Sequence, residues 1–342
     1  MNRIRVLFIG NFLSRQKGTK GISEKLFVSE TIKEKFDIST ASDKLNKVIR
    51  LSHMAIKALT FRGELVHIDV YSGPAFFYTW LVSRMVSLRG KKIIMTLHGG
   101  ALPNYYEREF VKCKTTFLLA HKIVTPSKFL QRYFQKKGYN VHYIPNSIDF
   151  TNFTFNRENF EPHTLLWVRA FTDIYNPLVP IRILFHLKDE FPDSVLTMVG
   201  PDKGKLSEVK NVIRTLGLED SINITGPIPN EELQSYYQSH HVYLNTTSFE
   251  SFGVAVLEAA SCGIPVVSNS VGEIPLIWKD RVSILLVKEN DIFEYCKQIK
   301  MLFNDDDLSM NISQAAKATA GKFGSTEIEQ EWVRMLYDVF EN

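Results

Sequence analysis

The sequence predicts an α/β protein built from two Rossmann-like, doubly wound domains that face a central cleft. The chain has 342 residues, which is too long for one ordinary core and fits two domains of about 150 residues each. Residues 4–9 form an apolar run that ends at Gly10, as expected of a buried parallel strand. Strand-like and helix-like segments then alternate, and the alternation restarts near residue 163, which indicates repeated βαβ units in two sheets.

The first half of the chain keeps a regular order of elements after the run at residues 4–9. Apolar runs predict strands, and stretches with helical periodicity predict the helices between them. The strands are expected at 64–71, 92–97, 122–125 and 141–144, and the helices at 23–35, 42–60, 74–89 and 127–137.

The second half repeats this order after a polar stretch, residues 149–162, that lacks apolar periodicity and is typical of a linker. Its strands are expected at 163–168, 194–199, 222–225, 241–245, 264–268 and 283–287, and its helices near 178–191, 203–217, 230–238, 253–262 and 290–303. We therefore predict an N-terminal domain at 1–150, a C-terminal domain at 151–325 and a last helix at 326–342 that packs back on the N-terminal domain. Because ligands of doubly wound sheets bind outside the carboxyl ends of the strands, the cleft is the expected binding site.

The charge of the chain is divided unevenly between these halves. Residues 1–150 contain 25 Lys and Arg against 10 Asp and Glu, although the net charge of the whole chain is only +4. A basic half of this size attracts anionic partners such as phospholipid surfaces or lipid pyrophosphates. Cys113, Cys262 and Cys296 lie far apart, which argues against a disulfide framework and against structural zinc.

One segment carries most of the chemical information. Residues 249–267 read FESFGVAVLEAASCGIPVV and contain Glu250 and Glu258. A small-residue turn at Gly253 precedes a predicted helix, and the free N–H groups of a helix N-terminus attract phosphates. Two carboxylates at this spacing are common on solvated helices, and the spacing alone would not indicate a site. The flanking Ser-Phe-Gly turn and Gly-Ile-Pro-Val-Val strand are what favour a binding site.

This segment resembles the signature of the family 4 retaining glycosyltransferases of the GT-B fold. The resemblance implies that Glu250 lies beside the donor sugar and that Glu258 binds the ribose hydroxyls. It also implies that the turn around them belongs to the donor site, namely Ser251, Phe252, Gly253 and Val254. On this basis the N-terminal domain is expected to bind the acceptor and the C-terminal domain the nucleotide sugar.

Shorter segments extend the resemblance over nearly the whole chain. The segment IPNSID at 144–149 is similar to the family's interdomain joint, with Ser147 where the family has Gly. The segment VGEIPL at 271–276 follows another family motif but departs from it at Glu273 and Leu276. The turns VGP at 199–201 and TGPIP at 225–229 match strand ends that approach the phosphates and the base. They imply donor contacts for Gly200 and Ile228.

Two further residues complete the predicted centre. His98 lies in the segment TLHGG at 96–100, at the end of a predicted strand, where side chains project into the crevice. In the resembling family a His at this place contacts the donor sugar near its reactive carbon, so His98 and Glu250 are the predicted catalytic residues. Arg169 matches the Arg of the family's Gly-Arg-(x)4-Lys-Gly motif, and a fixed cation suits a diphosphate.

The Lys of that motif is missing from this chain. Residues 171–177 read FTDIYNP, so Asn176 is expected to offer an amide donor in place of the ammonium. Lys203 and Lys205, which follow Gly200, are candidate substitutes. Gly21 lies in a glycine-containing loop before a predicted helix and is expected to help admit the acceptor or cradle phosphate.

The resemblance implies transfer of a hexose-type sugar, with retention, from a UDP- or GDP-linked donor to a glycan or lipid-linked acceptor. It implies surface polysaccharide or glycolipid biosynthesis, with no metal or other cofactor. Two alternatives share the architecture. One is a nucleotide-sugar 2-epimerase, and the other is a non-catalytic subunit that binds nucleotide sugars, which the missing Lys favours.

The basic half predicts a location at a membrane. The stretch 42–62 mixes Lys and Arg with Leu, Ile and Met, which suits a helix on an anionic lipid surface, although a solvated charged face has the same pattern. Residues 74–88 are apolar but too short to span a bilayer. With no signal segment at its N-terminus, the chain is expected to be cytoplasmic and peripheral on the inner face of the cytoplasmic membrane. Nucleic acid is not an expected partner, because no recognition motif accompanies the charge.

Overall fold

Two six-stranded sheets, each with all of its strands parallel, organise the chain. The computed structural model describes residues 3–10, 12, 22–250, 252–288 and 290–342. The first sheet belongs to a unit formed by Met1–Ser147 together with Ser325–Asn342, and the second to a unit formed by Ile148–Gly324. The predicted fold class, α/β with two doubly wound Rossmann-like domains, is confirmed in the two sheets.

The first unit alternates strands and helices along the chain. Its strands are β1 (Ile4–Ile9), β2 (Phe36–Ala41), β3 (Leu65–Val70), β4 (Lys92–Leu97), β5 (Lys122–Thr125) and β6 (Val141–Tyr143). Its helices are α1 (Ile22–Val28), α2 (Glu30–Lys35), α3 (Lys47–Thr60), α4 (Phe76–Leu88), α5 (Leu102–Arg108), α6 (Phe110–Phe117) and α7 (Lys128–Lys136). The strand order is β2-β1-β3-β4-β5-β6.

Burial explains which strands the sequence reveals. All six residues of β3 are buried, as are five of six in β4, because helices cover both faces of a parallel sheet. The strand β2 reads FDISTA and has only its first and last residues buried, since it lies at the sheet edge. Its polar composition explains why the sequence predicted no strand there.

Capping residues set helix bounds that differ from the prediction. The helix predicted at 23–35 is two helices, because Ser29 interrupts it and its Oγ accepts a hydrogen bond from Ile32 N at 3.3 Å. The helix predicted at 42–60 begins at Lys47, where Asn46 Oδ1 accepts from Val48 N at 2.9 Å. Side-chain oxygens at these positions satisfy N–H groups that a helix leaves unpaired.

The last helix of the chain, α15 (Ser325–Glu341), belongs to the first unit. Its buried stripe includes Ile328, Trp332 and Leu336. The Trp332 ring meets the ring of Phe27 edge-on, with centroids 6.3 Å apart. Lys92 Nζ donates to Phe340 O at 2.8 Å, so the helix is held to the sheet at its end as well as along its apolar face.

The second unit repeats the architecture. Its strands are β7 (Glu161–Val168), β8 (Val195–Val199), β9 (Ile222–Gly226), β10 (His240–Asn245), β11 (Val266–Asn269) and β12 (Leu285–Val287). Its helices are α8 (Leu178–Leu187), α9 (Leu206–Thr215), α10 (Leu233–Ser239), α11 (Val254–Cys262), α12 (Ile274–Ile277), α13 (Ile292–Asn304) and α14 (Asp306–Ala320). The strand order is β12-β11-β10-β7-β8-β9.

The chain enters and leaves the second unit at neighbouring points. Ile148 N donates to Phe323 O at 2.9 Å, and an isolated parallel bridge joins Ile148 to Gly324. Within the described ranges, no helix is both long and apolar enough to cross a bilayer.

Candidate functional site

The strand order of the second unit reverses between β7 and β10, which are neighbours in the sheet. In doubly wound sheets such a reversal opens a crevice at the carboxyl ends of the strands, and ligands bind there. Arg169 follows β7 directly, and Asn245 is the last residue of β10. The topology therefore brings residues that are distant in sequence to the crevice.

Arg169 and Glu250 form an ion pair at this reversal. Arg169 Nη2 lies 2.5 Å from Glu250 Oε2 and 3.2 Å from Asn245 Oδ1. Both charged side chains are 11% exposed. Asn245 is held in turn by its Nδ2, which donates to Ser268 Oγ at 2.9 Å. A charge-assisted contact of this kind fixes both partners more firmly than a surface ion pair does.

The environment keeps the guanidinium charged. Burial alone lowers the pKa of Arg169, but the neighbouring Glu250 carboxylate raises it, and the net pKa lies above its usual value. The Tyr175 ring lies 5.2 Å from Arg169 Cζ. The buried Nε of Arg169 has no acceptor within the described part of the chain. The guanidinium is therefore a fixed cation, oriented through Nη2 by Glu250 and Asn245.

A glycine supports the backbone of Glu250. Gly272 has φ +56°, and a Cβ at this position would overlap Glu250 O. The next residue, Glu273, is buried and its N donates to Glu250 O at 2.8 Å. The segment VGEIPL thus fixes the position of Glu250. Although Glu273 departs from the family motif, its backbone N still supplies the donor.

The helix α11 begins beside this pair with an open N-terminus. Gly253 has φ +89°, in the left-handed region, and no side chain caps the helix. Val254 is its first residue, and Phe252 is buried with its ring 5.5 Å from the ring of Phe323. N–H groups at the start of an uncapped helix are oriented for an anion. Ser251 lies outside the described residues.

Glu258 lies on α11 and is 8% exposed. Its Oε2 accepts a hydrogen bond from Tyr237 OH at 3.2 Å. Burial, with the nearby Glu258 charge as the next cause, raises the pKa of Tyr237 well above its usual value, so the phenol stays a donor. All of the α11 residues from Ala255 to Cys262 are buried, and a carboxylate in such surroundings requires hydrogen-bonding partners.

Gly200 lies where the backbones of β7 and β8 approach one another. It has φ +149°, and a Cβ would overlap Arg169 O. Its N donates to Gly226 O at 2.9 Å. Ile228, in the turn after β9, is partly buried against the apolar cluster around α11. Gly200 therefore acts on the site by permitting the Arg169 backbone to lie against β8.

The segment that replaces the motif Lys is tied into the second unit. Asn176 has φ +48°, and its Nδ2 donates to Thr246 O at 2.9 Å and Asn290 Oδ1 at 3.3 Å. The predicted amide donor is thus engaged by the protein. Ile174 is 43% exposed, and its carbonyl accepts from Ser248 N at 2.8 Å.

The two candidate lysines differ in their surroundings. Lys203 is exposed, and its backbone N donates to Phe171 O at 3.1 Å. Lys205 Nζ lies 2.7 Å from Asp173 Oδ1 and 2.9 Å from Glu208 Oε2. Hydrogen bonds to these two carboxylates raise the pKa of Lys205 above its usual value. Lys205 is therefore a fixed cation beside the loop that follows Arg169, whereas the side chain of Lys203 extends from an exposed turn.

The first unit has its own strand-order reversal, between β1 and β3. His98 follows β4, and its Nε2 lies 2.9 Å from Asp69 Oδ1 of β3. The Tyr71 ring stacks on the His98 ring at 5.0 Å with 17° between planes. A Cβ at Gly10, after β1, would overlap Asp69 Oδ2. Asp69 was missed in the sequence, yet it belongs to a polar series at every second residue of a buried strand, with His67 and Tyr71.

His67 lies beneath this pair. It is 1% exposed, and its Nε2 lies 2.7 Å from Thr96 Oγ1. Burial lowers the pKa of His67 to about 4, partly opposed by the charge of Asp69. The imidazole is therefore neutral at physiological pH. His67, Thr96, His98 and Trp332 line one small cavity of the first unit.

Two further predictions concern the loop at Gly21 and independence from metals. Gly21 lies outside the described residues, as Ser251 does. Among residues 3–10, 12, 22–250, 252–288 and 290–342, no group of three or more His, Cys, Asp or Glu side chains is arranged to hold a metal ion. Independence from metals stays a prediction.

Comparison with known families decides the class of the second unit. Residues 150–319 match the model of the family described as glycosyl transferases group 1. This part of the chain is a glycosyl transferases group 1 domain. Glu250, Glu258 and Arg169 all lie inside it.

Curated relatives carry the same class of name. The chain is 28% identical over 185 residues to D-inositol 3-phosphate glycosyltransferase of Corynebacterium jeikeium, covering 52% of this chain and 44% of that protein. It is 30% identical over 155 residues to a phosphatidylinositol N-acetylglucosaminyltransferase subunit of Homo sapiens, covering 42% of this chain and 30% of that protein. The chain spans less than half the length of these relatives.

Solved structures show that the fold is GT-B. Sucrose-phosphate synthase from Thermosynechococcus elongatus matches with a TM-score of 0.76 and 15% identity, over 99% of this chain and 100% of that chain. HepE of Anabaena, solved in complex with UDP and glucose, matches with a TM-score of 0.73 and 16% identity, over 98% of this chain and 100% of that chain. At these identities the likeness extends to the fold alone.

Proposed function

We propose that this protein is a retaining glycosyltransferase that moves a hexose-type sugar from a UDP- or GDP-linked donor to a glycan or lipid-linked acceptor. The observation that carries the proposal is the buried Arg169–Glu250 pair beside the open N-terminus of α11, inside a group 1 domain. A guanidinium and helix-end N–H groups together suit a diphosphate, which needs fixed positive charge at its oxygens.

The proposed donor contacts divide by chemistry. The diphosphate contacts Arg169 and the N–H groups at Gly253 and Val254, and the buried Glu258 carboxylate accepts hydrogen bonds from the ribose hydroxyls. The contact with Tyr237 supports this role, because the phenol occupies only one of the acceptor positions that a carboxylate offers. Glu250 lies beside the sugar, and His98 is the proposed contribution of the first unit to the reacting centre. No metal takes part in this scheme.

The proposed reaction is a displacement on one face of the sugar. The bond between the anomeric carbon and the diphosphate oxygen breaks as the bond to the acceptor oxygen forms on the same side. The proton of the acceptor hydroxyl passes to the departing phosphate oxygen, and Arg169 stabilises the charge that remains on the diphosphate. Retention follows, because both oxygens occupy the same face.

The ion pair also bears on the alternative of a double displacement. That scheme requires a free carboxylate as nucleophile, and Glu250 is the candidate. Its Oε2 is 2.5 Å from Arg169 Nη2, which lowers its nucleophilicity by holding the electron pair in a charge-assisted hydrogen bond. The front-face scheme is therefore the first to test, and a glycosyl-enzyme intermediate through the other oxygen of Glu250 is its alternative.

The proposed setting is surface polysaccharide or glycolipid biosynthesis at the inner face of the cytoplasmic membrane, with the protein held there peripherally. Two of the curated relatives are named for inositol-containing substrates. Inositol phosphate and phosphatidylinositol are therefore the first acceptors to test, alongside lipid-linked glycans.

The experiment has two stages with one matched pair of variants. UDP-, GDP- and ADP-sugars are screened by thermal shift, since a ligand at about 100 times its Kd adds about 2.7 kcal/mol to stability. Product analysis by mass spectrometry and NMR then follows each stabilising donor. We expect an acceptor-linked sugar of unchanged anomeric configuration. Glu250→Gln should reduce turnover by at least about 100-fold, whereas Glu219→Gln, an exposed site in the same unit, should not.

Other products identify the alternatives. A free nucleotide sugar with inverted C2 configuration would indicate a 2-epimerase. Stabilisation by a donor without transfer or hydrolysis, over a full panel of acceptors, would indicate a binding subunit. Unimpaired turnover by Glu250→Gln would remove this residue from both transfer schemes.

A further inference from the structure

The outward face of helix α3 is apolar, which is unusual for a helix on the surface of a folded unit. Met54 and Ala58 face the core and are buried. On the opposite side, Val48 is 73% exposed and Ile49, Ile56 and Leu59 are each at least 50% exposed. An ordinary surface helix buries its apolar stripe and presents polar residues to water. In α3 both faces carry apolar side chains.

The exposed apolar side chains of α3 form one stripe, interrupted by the exposed Ser52. Leu45, just before the helix, and Val48, Ile49, Ile56 and Leu59 follow the three- and four-residue spacing that places side chains on one helix face. At 1.5 Å per residue the stripe is about 20 Å long. Exposed apolar side chains along a face of this length mark an interaction site.

Positive charge borders the stripe. The sequence of α3, KVIRLSHMAIKALT, contains no Asp or Glu. Lys47 and Lys57 lie on the helix and are exposed, and Arg62 follows it. Lys44 lies just before it, with its Nζ 3.2 Å from Asp43 Oδ1. The helix therefore combines an apolar stripe with flanking cations, and contributes no carboxylate of its own.

The neighbouring helices α4 and α6 continue this surface. Tyr78 OH donates to Lys47 O at 3.5 Å and joins α4 to α3. Arg84 Cζ lies 4.6 Å above the Trp80 ring, and Lys112 Nζ of α6 lies 5.8 Å from the Phe77 ring. Aromatic and cationic side chains both occur frequently at the lipid headgroup layer. There the apolar part of each side chain contacts lipid and its polar end contacts water.

Exposed apolar side chains of the first unit concentrate here. Twelve large apolar side chains are exposed in the described part of that unit, and ten of them lie on α3, α4 and α6 or within two residues of their ends. Besides the five side chains of the stripe at α3, they are Phe77, Leu88, Phe110, Val111 and Leu118. We call the surface formed by these ten side chains and the cations among them the docking face.

We propose that the docking face binds the surface of a bilayer that contains anionic phospholipids. Apolar side chains on helices of this kind enter about 5–10 Å into the boundary between headgroups and acyl chains, while Lys and Arg stay among the phosphates. The charge pattern favours a lipid surface over a second copy of this chain, because two identical faces that both carry excess cations repel each other. The inference rests on the proposed peripheral location and is independent of the transfer chemistry.

The test measures binding of the full chain to sedimenting vesicles. One set is phosphatidylcholine alone, and the other contains about 30% phosphatidylglycerol, at low salt. We expect at least about tenfold stronger partition onto the anionic vesicles, and a fall in binding as salt screens the charges. Equal partition onto the two sets would overturn the proposal.

Variants locate the surface. Ile49→Glu with Ile56→Glu should reduce binding to anionic vesicles by at least about tenfold, and Lys47→Gln with Lys57→Gln should weaken the preference for anionic lipid. Phe293→Glu, at a side chain of the second unit that is 73% exposed, is the matched control and should bind as wild type does. Since all of these side chains are exposed, circular dichroism and melting temperature should be unchanged. Wild-type binding by the Ile49/Ile56 variant would place the lipid contact elsewhere.

Two companion measurements separate the other outcomes. Light scattering with size-exclusion chromatography reports self-association, and a dimer that Ile49→Glu with Ile56→Glu abolishes, without lipid binding by the wild type, would make the face a protein interface and refute the proposal. Transfer to a water-soluble acceptor should be equal in wild type and this variant. A protein that transfers sugar but ignores vesicles would refute the docking face alone, and one that binds vesicles but transfers nothing would refute the proposed reaction alone.

Discussion

At the scale of single residues, the contact between Asp69 and His98 sets the chemistry of the imidazole. An ionised carboxylate only accepts hydrogen bonds, so His98 Nε2, 2.9 Å from Asp69 Oδ1, carries the proton. In the neutral imidazole the lone pair then belongs to Nδ1. The Tyr71 ring, stacked at 5.0 Å, limits rotation of the His98 ring. His98 is thereby held as an oriented acceptor at the carboxyl edge of the first sheet.

This orientation leads to a prediction for Asp69→Asn. The amide of Asn offers both a donor and an acceptor, so the His98 ring loses its fixed tautomer and direction. We expect kcat/KM for transfer to fall about 100-fold, the size of effect that follows from misplacing a reacting group by about 1 Å. The loss should lie mainly in kcat, because Asp69 acts through the orientation of His98. Steady-state kinetics with varied donor measures kcat and KM separately.

The control for this variant is Asp37→Asn. Asp37 is exposed on the edge strand β2 of the same unit, and its loss should leave both kinetic constants unaltered. A purely structural role for Asp69 would instead lower the melting temperature while kcat of the folded enzyme stayed that of wild type.

The sequence contained most of the site residues but not their partners. Motifs pointed to Arg169, Glu250 and Glu258, and the structure brings Arg169 and Glu250 into contact. Their functional roles stay predictions. Asp69 was missed because its signal, an alternation of polar side chains with His67 and Tyr71, matches no family motif. Asn176 was expected to face the donor, whereas its amide donates hydrogen bonds to Thr246 O and Asn290 Oδ1. These contacts depend on the folded loop and leave no pattern in the sequence.

At the scale of elements, the turn before α12 controls the position of Glu250. Gly272→Ala should therefore damage the site from outside it. Its φ of +56° costs a Cβ-bearing residue about 1–2 kcal/mol, and the added methyl would overlap Glu250 O. We expect a loss of stability larger than the conformational term and a drop of at least about tenfold in donor affinity. Urea unfolding and isothermal titration with the best donor measure the two.

Gly217→Ala separates strain from overlap. Gly217 has φ +65° but open space where a Cβ would lie, so its substitution should cost stability through the backbone conformation alone. Donor binding should be that of wild type. Equal donor affinity in the two variants would show that the overlap at Gly272 does not displace Glu250.

Elements were predictable where one physical signal dominated. Buried strands such as β3 and β4 stand out as apolar runs, because both of their faces are covered. The edge strand β2 lacks that signal, since only two of its six residues are buried. The helix α14 reads DDLSMNISQAAKATA, whose small and polar residues show little apolar periodicity, although Asp305 Oδ1 caps it by accepting from Leu308 N at 2.8 Å. Such elements form because tertiary packing stabilises them.

At the scale of the whole molecule, the alternation of strands and helices was enough to predict two doubly wound sheets. The order of strands was not, because it depends on long-range pairing that leaves no local pattern. The reversals between β1 and β3 and between β7 and β10 explain why the candidate residues gather at particular strand ends. The strand order therefore adds the location of the candidate residues within each unit to a fold class that the sequence predicts.

Each unit also buries a histidine whose imidazole resists protonation in the folded state. His67 in the first unit is 1% exposed, and His241 in the second is 2% exposed. Burial lowers the pKa of both to about 4. For His241 the nearby Arg157 charge acts in the same direction. Both units should accordingly lose stability in mild acid.

The sign of this pH dependence follows from proton binding. In the unfolded chain both imidazoles take up protons below about pH 6.5, whereas in the folded units they resist protonation until about pH 4. The unfolded state binds more protons in this window, so the free energy of unfolding is highest above pH 6.5 and falls as pH decreases towards 4. Each histidine should remove about 2 kcal/mol between pH 7 and pH 5.

The variant His67→Gln tests this source of acid sensitivity. It keeps a neutral hydrogen-bonding group near Thr96 but does not titrate, so its unfolding free energy should depend less steeply on pH than that of wild type. His186→Gln, at a partly exposed ring, is the control, and urea unfolding at pH 7 and pH 5 gives the comparison. If His67→Gln and wild type lost the same stability over this interval, the buried neutral imidazole would not be what makes the first unit sensitive to acid.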